Sequence, residues 1–248
     1  MTSALKFLTE EQKKLFSQEN LSDLESLIDG IENDDAKRWV VEGAGTVAMW
    51  DADKLVSYLN AFSDNLDNFN VLIGGIEDYE AKKWVVDDAG RVAWRNAAKL
   101  GDYLNAFSER LGEFNILIGG IGDDYAKRLV AKGAGRVAEK NAAKLGDYLS
   151  LIGGIRDDVA KIWVAEGAGR VAEKNAAKLG DYLSLIGRTE NDVAKKWVVE
   201  GAVRVAEKDA ANLGSYLNAF SDNLDNFNVL IGGIGNDVAK ESVAEGAV

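Results

Sequence analysis

An internal repeat constrains this chain more than any other feature of its sequence. The representative unit runs from Ile155 to Arg188, and copies of it make up most of the chain. Equivalent starts fall at Ile31, Ile76, Ile121, Ile155, Thr189 and Ile234, so a unit is 34 or 45 residues long. Residues 134–153 recur letter for letter as residues 168–187. Repeats of this length are typical of architectures in which each unit packs on its neighbours.

Each unit is predicted to hold two helices. The apolar residues before and after residues 166–169 (Glu-Gly-Ala-Gly) face different sides of a helical projection, and one straight helix would not bury both equally. Glycine lowers helix propensity and suits a helix end. We therefore expect a first helix that starts at the carboxylates of Asp157 and Asp158. A second helix is expected from Arg170 to Leu185.

The long units differ from the short ones by an eleven-residue block, first present at residues 60–70 (NAFSDNLDNFN). Eleven residues are close to three helical turns, and the apolar residues of the long copies keep helical spacing through the block. We therefore predict that the block lengthens the second helix by three turns. Strand signals are weak and proline is absent, so the predicted fold class is all-α. Its expected architecture is a helical repeat array (α-solenoid) with terminal capping helices.

A single repeat domain, residues 1–248, is expected to be closed by atypical segments at both ends. Its units start at residues 31, 76, 121, 155 and 189, between an N-terminal cap and half unit (1–30) and a C-terminal half unit (234–248). In the first segment Thr9 is a predicted helix N-cap, and Leu8, Leu15 and Phe16 are the predicted buried side. This segment is expected to cap the array.

Tryptophan recurs at one position of the first helix, at Trp39, Trp84, Trp163 and Trp197. A large apolar residue at a fixed helical position predicts a place in the core. Ser242 takes this position in the last half unit, as expected if the outer face of a terminal unit is polar. An arbitrary chain boundary is the alternative explanation of that serine.

The chain contains no histidine and no cysteine. Disulfides, thiolate nucleophiles, histidine general bases and zinc sites with nitrogen or sulfur ligands are therefore excluded. Paired carboxylates occur, such as Asp157 with Asp158, but their recurrence at predicted helix starts indicates capping. No arrangement of carboxylates meets the geometric requirements of a catalytic site. The sequence predicts a protein that is not an enzyme and that holds no cofactor or metal.

The net charge of the chain is −12, from 41 acidic and 29 basic residues. Negative charge spread over all units repels phosphate backbones and anionic lipids, so no nucleic-acid or membrane partner is expected. No segment has the composition of a signal peptide or a membrane span, which predicts a cytoplasmic protein.

One feature departs from the repeat and is a candidate for function. Positions that hold a Glu–Lys pair in later units, such as Glu173 and Lys174, hold Met49 and Trp50 in the first unit, and Trp94 replaces the glutamate in the second. Exposed aromatic residues often mark protein interfaces, so Met49, Trp50 and Trp94 are the candidate partner contact. The alternative is that the N-terminal helix covers these residues.

Two functions of different classes follow from this sequence. The first expectation is a noncatalytic protein-interaction scaffold built from α-helical repeats, with a protein as its partner. The alternative is a self-assembling structural subunit of the filament or shell type, because a repeat array with incomplete caps can stack on itself.

Overall fold

The computed structural model describes residues 6–247, and within that range the chain forms helices joined by short turns with no β-strand. The prediction of an all-α fold is confirmed. The helices are α1 (Glu10–Lys13), α2 (Gln18–Gly30), α3 (Asp34–Trp50), α4 (Leu55–Asp64), α5 (Leu66–Gly75), α6 (Tyr79–Arg95), α7 (Leu100–Glu109), α8 (Leu111–Gly119), α9 (Asp124–Asn141), α10 (Leu145–Gly154), α11 (Asp158–Asn175), α12 (Leu179–Arg188), α13 (Asp192–Lys208), α14 (Leu213–Asp222), α15 (Leu224–Gly232) and α16 (Asp237–Ala247). Residues 1–5 of the predicted N-terminal cap and Val248 of the last half unit lie outside the described residues.

Each long helix from α3 to α13 begins after a polar residue that caps it. Asp157 precedes α11, and its carboxylate accepts a 2.8 Å hydrogen bond from the amide three residues further on. Asp78 and Asp123 cap α6 and α9 in the same way, and Asn33 and Asn191 cap α3 and α13. Such a residue satisfies an amide group that has no partner within the helix. The predicted start of the first helix of each unit is confirmed.

The predicted helix break at residues 166–169 is wrong. Helix α11 continues through both glycines, and no glycine within residues 6–247 has a positive φ. The interruption comes later, at a 3₁₀ turn formed by Ala176–Lys178, after which α12 begins. The expected second helix from Arg170 to Leu185 is therefore replaced by the end of α11 and a shorter α12.

Close packing, rather than a helix end, explains these glycines. A Cβ atom added to Gly167 would lie 2.6 Å from the hydroxyl oxygen of Tyr182, which packs against α11. A Cβ atom at Gly133 of α9 would lie 2.7 Å from the carbonyl oxygen of Ala165 in α11. Both distances are shorter than any normal contact, so only glycine allows the neighbouring groups to approach this closely.

The eleven-residue block does not form one longer helix, contrary to the prediction. Helices α4 and α5 are separated at Asn65, whose side-chain amide donates a 2.8 Å hydrogen bond to the Ala61 carbonyl oxygen. In a continuing helix that oxygen would accept from the Asn65 backbone amide, so the side chain competes with the helix. The buried rings of Phe62 and Phe69 meet edge to face across the bend, with centroids 5.2 Å apart. Asn223 separates α14 from α15 in the same way.

The last residue of the block forms hydrogen bonds with the loop at the start of its own unit. The side-chain amide of Asn70 donates to the Gly30 carbonyl oxygen at 2.8 Å, and the Glu32 amide donates to the Asn70 side-chain oxygen at 3.0 Å. Asn115 and Asn228 make the same pair of hydrogen bonds in their own copies. In each long unit the block therefore connects its last helix to the turn at which the unit begins.

The described helices group into two compact units, one that ends at Asn115 and one that starts at Ile116. Within the first unit α1 and α6 pack against α3, α2 packs against α4, and α5 packs against α7. Leu8 and Phe16, on either side of α1, are buried as predicted. Leu15 is 45% exposed, so its predicted burial is wrong.

Within the second unit the long helices pack in chain order, α9 on α11, α11 on α13 and α13 on α16. The shorter helices do the same, α10 on α12 and α12 on α14, and each of them also packs on the long helix before it. Tyr148, Val164, Leu179 and Val198 are fully buried between the long and the short helices. One side of each long helix is therefore buried in the core.

Candidate functional site

A tyrosine in each short helix sets the position of the long helix before it. The hydroxyls of Tyr58, Tyr103 and Tyr148 donate to the backbone carbonyl 18 residues earlier, at 3.2, 3.0 and 2.7 Å. Burial raises the pKa of Tyr58 and of Tyr148 well above the ordinary value for a phenol, so both hydroxyls remain protonated donors. The hydroxyls of Tyr182 and Tyr216 are also buried but have no hydrogen-bond partner among the described residues.

The prediction that the recurrent tryptophans are core residues holds for only one of them. Trp39 is 5% exposed, whereas Trp84, Trp163 and Trp197 are half-buried. The ammonium group of Lys196 lies over two of the half-buried rings, 5.3 Å from the centroid of Trp163 and 4.8 Å from that of Trp197. These indoles therefore lie at the surface of the long helices, where a charged group can reach their faces.

A depression of about 320 Å³ lies between α11 and α13, and we name it the α11–α13 groove. It is lined by Trp163, Glu166, Gly167, Arg170, Val199, Glu200, Val203, Arg204 and Glu207. The apolar members come from both helices, and charged residues surround them. Its volume is at the small end of the range of about 300–1,000 Å³ that is usual for ligand sites, which suits single side chains of a partner.

Two carboxylates of the α11–α13 groove are available to a partner. Within residues 6–247, Glu166 and Glu200 form no ion pair. Arg170 and Glu207, by contrast, pair with each other from opposite helices at 3.6 Å. Arg204 on the same lining forms no ion pair among residues 6–247 either, so the three glutamates and two arginines of the groove give it a net charge of −1 next to an apolar surface.

A second depression, of about 380 Å³, lies beside this groove at the beginning of α11, α13 and α16. It is lined by Asp157, Val159, Ala160, Trp163, Asp192, Val193, Lys196 and Val238. Val159 and Val238 are exposed, although both are large apolar residues. Trp163 therefore borders both depressions, and Lys196, whose ammonium group lies over its ring, is part of the second lining.

The first unit has a corresponding depression of about 290 Å³, which we name the α3–α6 groove. It is lined by Trp39, Glu42, Gly43, Thr46, Val47, Tyr58, Val86, Asp87, Gly90, Arg91 and Trp94. Three of these residues are aromatic. Trp94, one of the residues singled out from the sequence, is half-buried here.

The other two residues singled out from the sequence lie elsewhere on α3. Met49 is 56% exposed and Trp50 is 78% exposed, and neither lines the α3–α6 groove. From Lys6 onward the N-terminal segment packs next to Gly45, where Gln12 and Leu8 are its nearest side chains, and this described part does not cover Trp50. The cap alternative is therefore wrong for Met49 and Trp50, while their role as a partner contact stays a prediction.

The change of apolar face within the repeat is the sequence signal for these grooves. It predicts two separate helices, but both faces start on the single helix α11. Val171 is fully buried on one face, whereas Val159 and Trp163 remain at the surface on the other. A helix with two apolar faces indicates two contact surfaces, and in this chain α11 packs on both α9 and α13.

Comparison with protein-family models, curated proteins and solved structures finds no match to this chain. Among the described side chains, no three of histidine, cysteine, aspartate or glutamate are close enough to hold a metal ion. Of the helices between residues 6 and 247, none is both long and apolar enough to cross a membrane.

Proposed function

We propose that this chain is a noncatalytic protein-interaction scaffold built from an array of α-helical repeats, an α-solenoid. The order of packing in the second unit supports the array, because α9, α11, α13 and α16 contact one another in sequence, as do α10, α12 and α14. A stack of this kind leaves one side of each long helix available for partners.

The α11–α13 groove is the observation that carries the proposal. Its Trp163 also borders the second depression, whose lining includes Val193 and the exposed Val238. Tryptophans that are only half-buried, with charged residues around them, are the usual centre of a protein interface. An indole exposed in this way gains binding energy when a partner removes it from water.

The partner is a protein segment that carries apolar side chains flanked by lysine or arginine. Glu166 and Glu200 lack ion-pair partners within residues 6–247, and the chain carries a net charge of −12. A basic segment would be attracted over a distance and would then pair with these two carboxylates. An acidic segment would meet like charge at the same place.

A synthetic amphipathic helical peptide of leucine and lysine tests this function, with a peptide in which glutamate replaces every lysine as its control. Isothermal titration calorimetry should show binding of the basic peptide alone. Exchange of Glu166→Gln together with Glu200→Gln should weaken binding by about 2- to 30-fold, because two partly exposed ion pairs contribute about 0.2–1 kcal/mol each.

The matched control changes the same charge outside the groove. Glu190→Gln with Asp222→Asn replaces two exposed carboxylates that line neither depression. We expect the affinity of this control for the basic peptide to stay within about twofold of the unmodified protein, because neither carboxylate lines a depression and exposed charges contribute little. Equal weakening by both pairs of substitutions would reject a specific role for the groove.

Self-assembly is the second candidate, and exposed aliphatic residues near the end of the second unit support it. Val229 and Leu230 of α15 and Val238 of α16 are exposed. A second copy of the chain could cover such residues, since neighbouring apolar side chains favour burial. Sedimentation velocity over a wide concentration range separates the two functions, because a monomer at all concentrations excludes self-assembly.

A further inference from the structure

Two positions of the repeat hold small residues in α11 and valines in α13. Ala165 and Gly169 of α11 correspond to Val199 and Val203 of α13, each 34 residues further along the chain. Both positions lie on the side of the helix that meets the preceding long helix, α9 for α11 and α11 for α13. Two successive helix contacts of the second unit therefore differ in the size of the side chains between the helices.

The small residues allow α9 and α11 to approach closely. A Cβ atom added to Gly133 of α9 would lie 2.7 Å from the carbonyl oxygen of Ala165, so the backbone of α11 itself is the nearest part of that helix. A Cβ atom added to Gly169 would lie 2.8 Å from the Cδ atom of Arg136. The stem of this arginine therefore lies against the glycine. At both positions a larger side chain would force the helices apart.

Valine takes the place of that backbone contact between α11 and α13. A Cβ atom added to Gly167, the equivalent of Gly133, would meet the Cγ1 atom of Val199. A side-chain atom is thus the nearest part of α13, where the preceding contact has a carbonyl oxygen. The α11–α13 groove lies at this contact, and Val199 is part of its lining.

The ion pairs across the two contacts differ in the same sense. Arg136 of α9 pairs with Glu173 of α11 at 3.2 Å, and its side chain is 21% exposed. The equivalent Arg170 of α11 pairs with Glu207 of α13 at 3.6 Å, and its side chain is 49% exposed. Val203 occupies the position at which α11 has the glycine that receives the arginine stem. The arginine of the second contact is therefore displaced toward solvent.

The first unit provides an independent case. Val86 of α6 is the equivalent of Val199, and it lines the α3–α6 groove. A Cβ atom added to Gly43 of α3 would have its three nearest atoms in Tyr58 of α4 and none in α6. Gly90 of α6 keeps the glycine of the second position. Valine at the first position is thus common to both grooves, whereas the close contact of α9 with α11 has alanine there.

We propose that Val199 holds α11 and α13 apart and thereby opens the α11–α13 groove, with Val203 as a second spacer. The separation of packed helices depends on the side chains at their contact. Ala165 occupies the same position in a pair of helices that has closed. The size of one side chain per repeat therefore determines whether two successive long helices of the second unit leave a groove between them.

Crystal structures of the full chain test the spacer without any ligand. In the variant Val199→Ala with Val203→Gly, α13 should move toward α11. The new contact should resemble that of Gly133 with the Ala165 carbonyl oxygen, and the separation of α9 and α11 in the same crystal is the internal reference. An unchanged separation of α11 and α13 would overturn the proposal.

The converse exchange applies the same rule to the close contact. Ala165→Val with Gly169→Val should separate α9 from α11 and should expose the ion pair of Arg136 with Glu173. A folded variant in which these two helices keep their original separation would overturn the proposal. If the inserted volume prevents folding, the crystal structure of the variant that lacks both valines decides alone.

Peptide binding shows whether the spacing matters for function. In Val199→Ala with Val203→Gly, the affinity for the basic leucine–lysine peptide should fall by about tenfold or more, because the desolvated contact with its side chains is lost. Val199→Thr is the matched control, because threonine keeps the branched shape of valine and its hydroxyl can bond to a carbonyl oxygen of its own helix. This control should retain the helix separation and most of the affinity. Equal weakening in both variants would contradict a role for spacing.

The effect on peptide binding rests on the proposed function, whereas the separation of the helices does not. If the unmodified protein does not bind the peptide, the proposed function is rejected, and the crystal structures still decide the role of Val199. If the helices close and the affinity for the peptide is unchanged, the spacer is supported and the α11–α13 groove is rejected as the peptide site.

Discussion

The hydroxyl of Tyr148 donates a 2.7 Å hydrogen bond to the carbonyl oxygen of Val130. This contact joins α10 to the middle of α9, next to Gly133, whose missing side chain leaves room for the phenol. The same relationship of tyrosine and carbonyl recurs in the first unit at Tyr58 and Tyr103. A glycine and a tyrosine that are distant in sequence therefore form one structural element of the repeat.

Removal of the Tyr148 hydroxyl tests this element. Tyr148→Phe should lower the free energy of unfolding by about 1 kcal/mol, the usual net contribution of a hydrogen bond. Tyr182→Phe is the matched control, because the Tyr182 hydroxyl is buried without a hydrogen-bond partner. It should be neutral or slightly stabilising in the same urea titration. Equal losses in both variants would show that the hydrogen bond to Val130 is unimportant.

Two glycines of the second unit should respond to alanine with opposite sign. Gly133→Ala would place a Cβ atom 2.7 Å from the Ala165 carbonyl oxygen, and the overpacking should destabilise the fold by about 1–3 kcal/mol. Gly153 of α10 has no neighbouring atom within 4 Å of an added Cβ. Gly153→Ala should therefore stabilise by up to about 1 kcal/mol, because alanine favours helix. Thermal melts compare the two, and a stabilising Gly133→Ala would contradict the close helix contact.

The eleven-residue block is predicted to stabilise the fold through its last residue. Asn70→Ala removes two hydrogen bonds to the loop at Gly30 and Glu32, and should lower the free energy of unfolding by about 1–2 kcal/mol. Asn68→Ala removes one exposed contact, to Asn105 at 3.1 Å, and should change it by less than about 0.5 kcal/mol. Chemical denaturation of both variants checks this prediction. It fails if the two substitutions lower the free energy of unfolding equally.

Buried tyrosine should make the fold sensitive to alkaline pH. Burial raises the pKa of Tyr216 to about 12, whereas a tyrosine of the unfolded chain loses its proton near a pH of about 10. Between these values the unfolded chain binds fewer protons than the folded one, so the free energy of unfolding falls as pH rises. Below about pH 10 the group contributes no pH dependence. Tyr216→Phe should show a smaller fall over this interval, and an unchanged slope in urea titrations would exclude this contribution.

The sequence predicted the parts of the fold that depend on neighbouring residues in the chain. The helical class, the caps at Asp157 and its equivalents, and the N-cap at Thr9 are local features, and the structure confirms them. Gly167 was misinterpreted because its role depends on Tyr182, a partner on another helix. Asn65 was missed because its side chain competes for the Ala61 carbonyl oxygen within an otherwise helical pattern.

The candidate site was predicted less well than the fold. Met49 and Trp50 depart from the repeat and are exposed, but the departure at Trp94 placed an indole within a groove. The α11–α13 groove was not predicted, because its residues obey the repeat pattern and half-burial of Trp163 depends on how α13 packs beside α11. Periodicity identifies an apolar face but does not tell whether a helix of the same chain or a partner covers it.

The location of peptide binding tests the scaffold proposal most directly. The chain has six tryptophans, so its indole N–H groups give a small set of nuclear magnetic resonance signals that single tryptophan-to-phenylalanine variants can assign. On addition of the basic leucine–lysine peptide, the Trp163 signal should shift most and that of Trp50, which is 78% exposed and does not line the groove, should not shift. An unchanged Trp163 signal at saturating peptide, or a shift confined to Trp50, would contradict the proposed function of the α11–α13 groove.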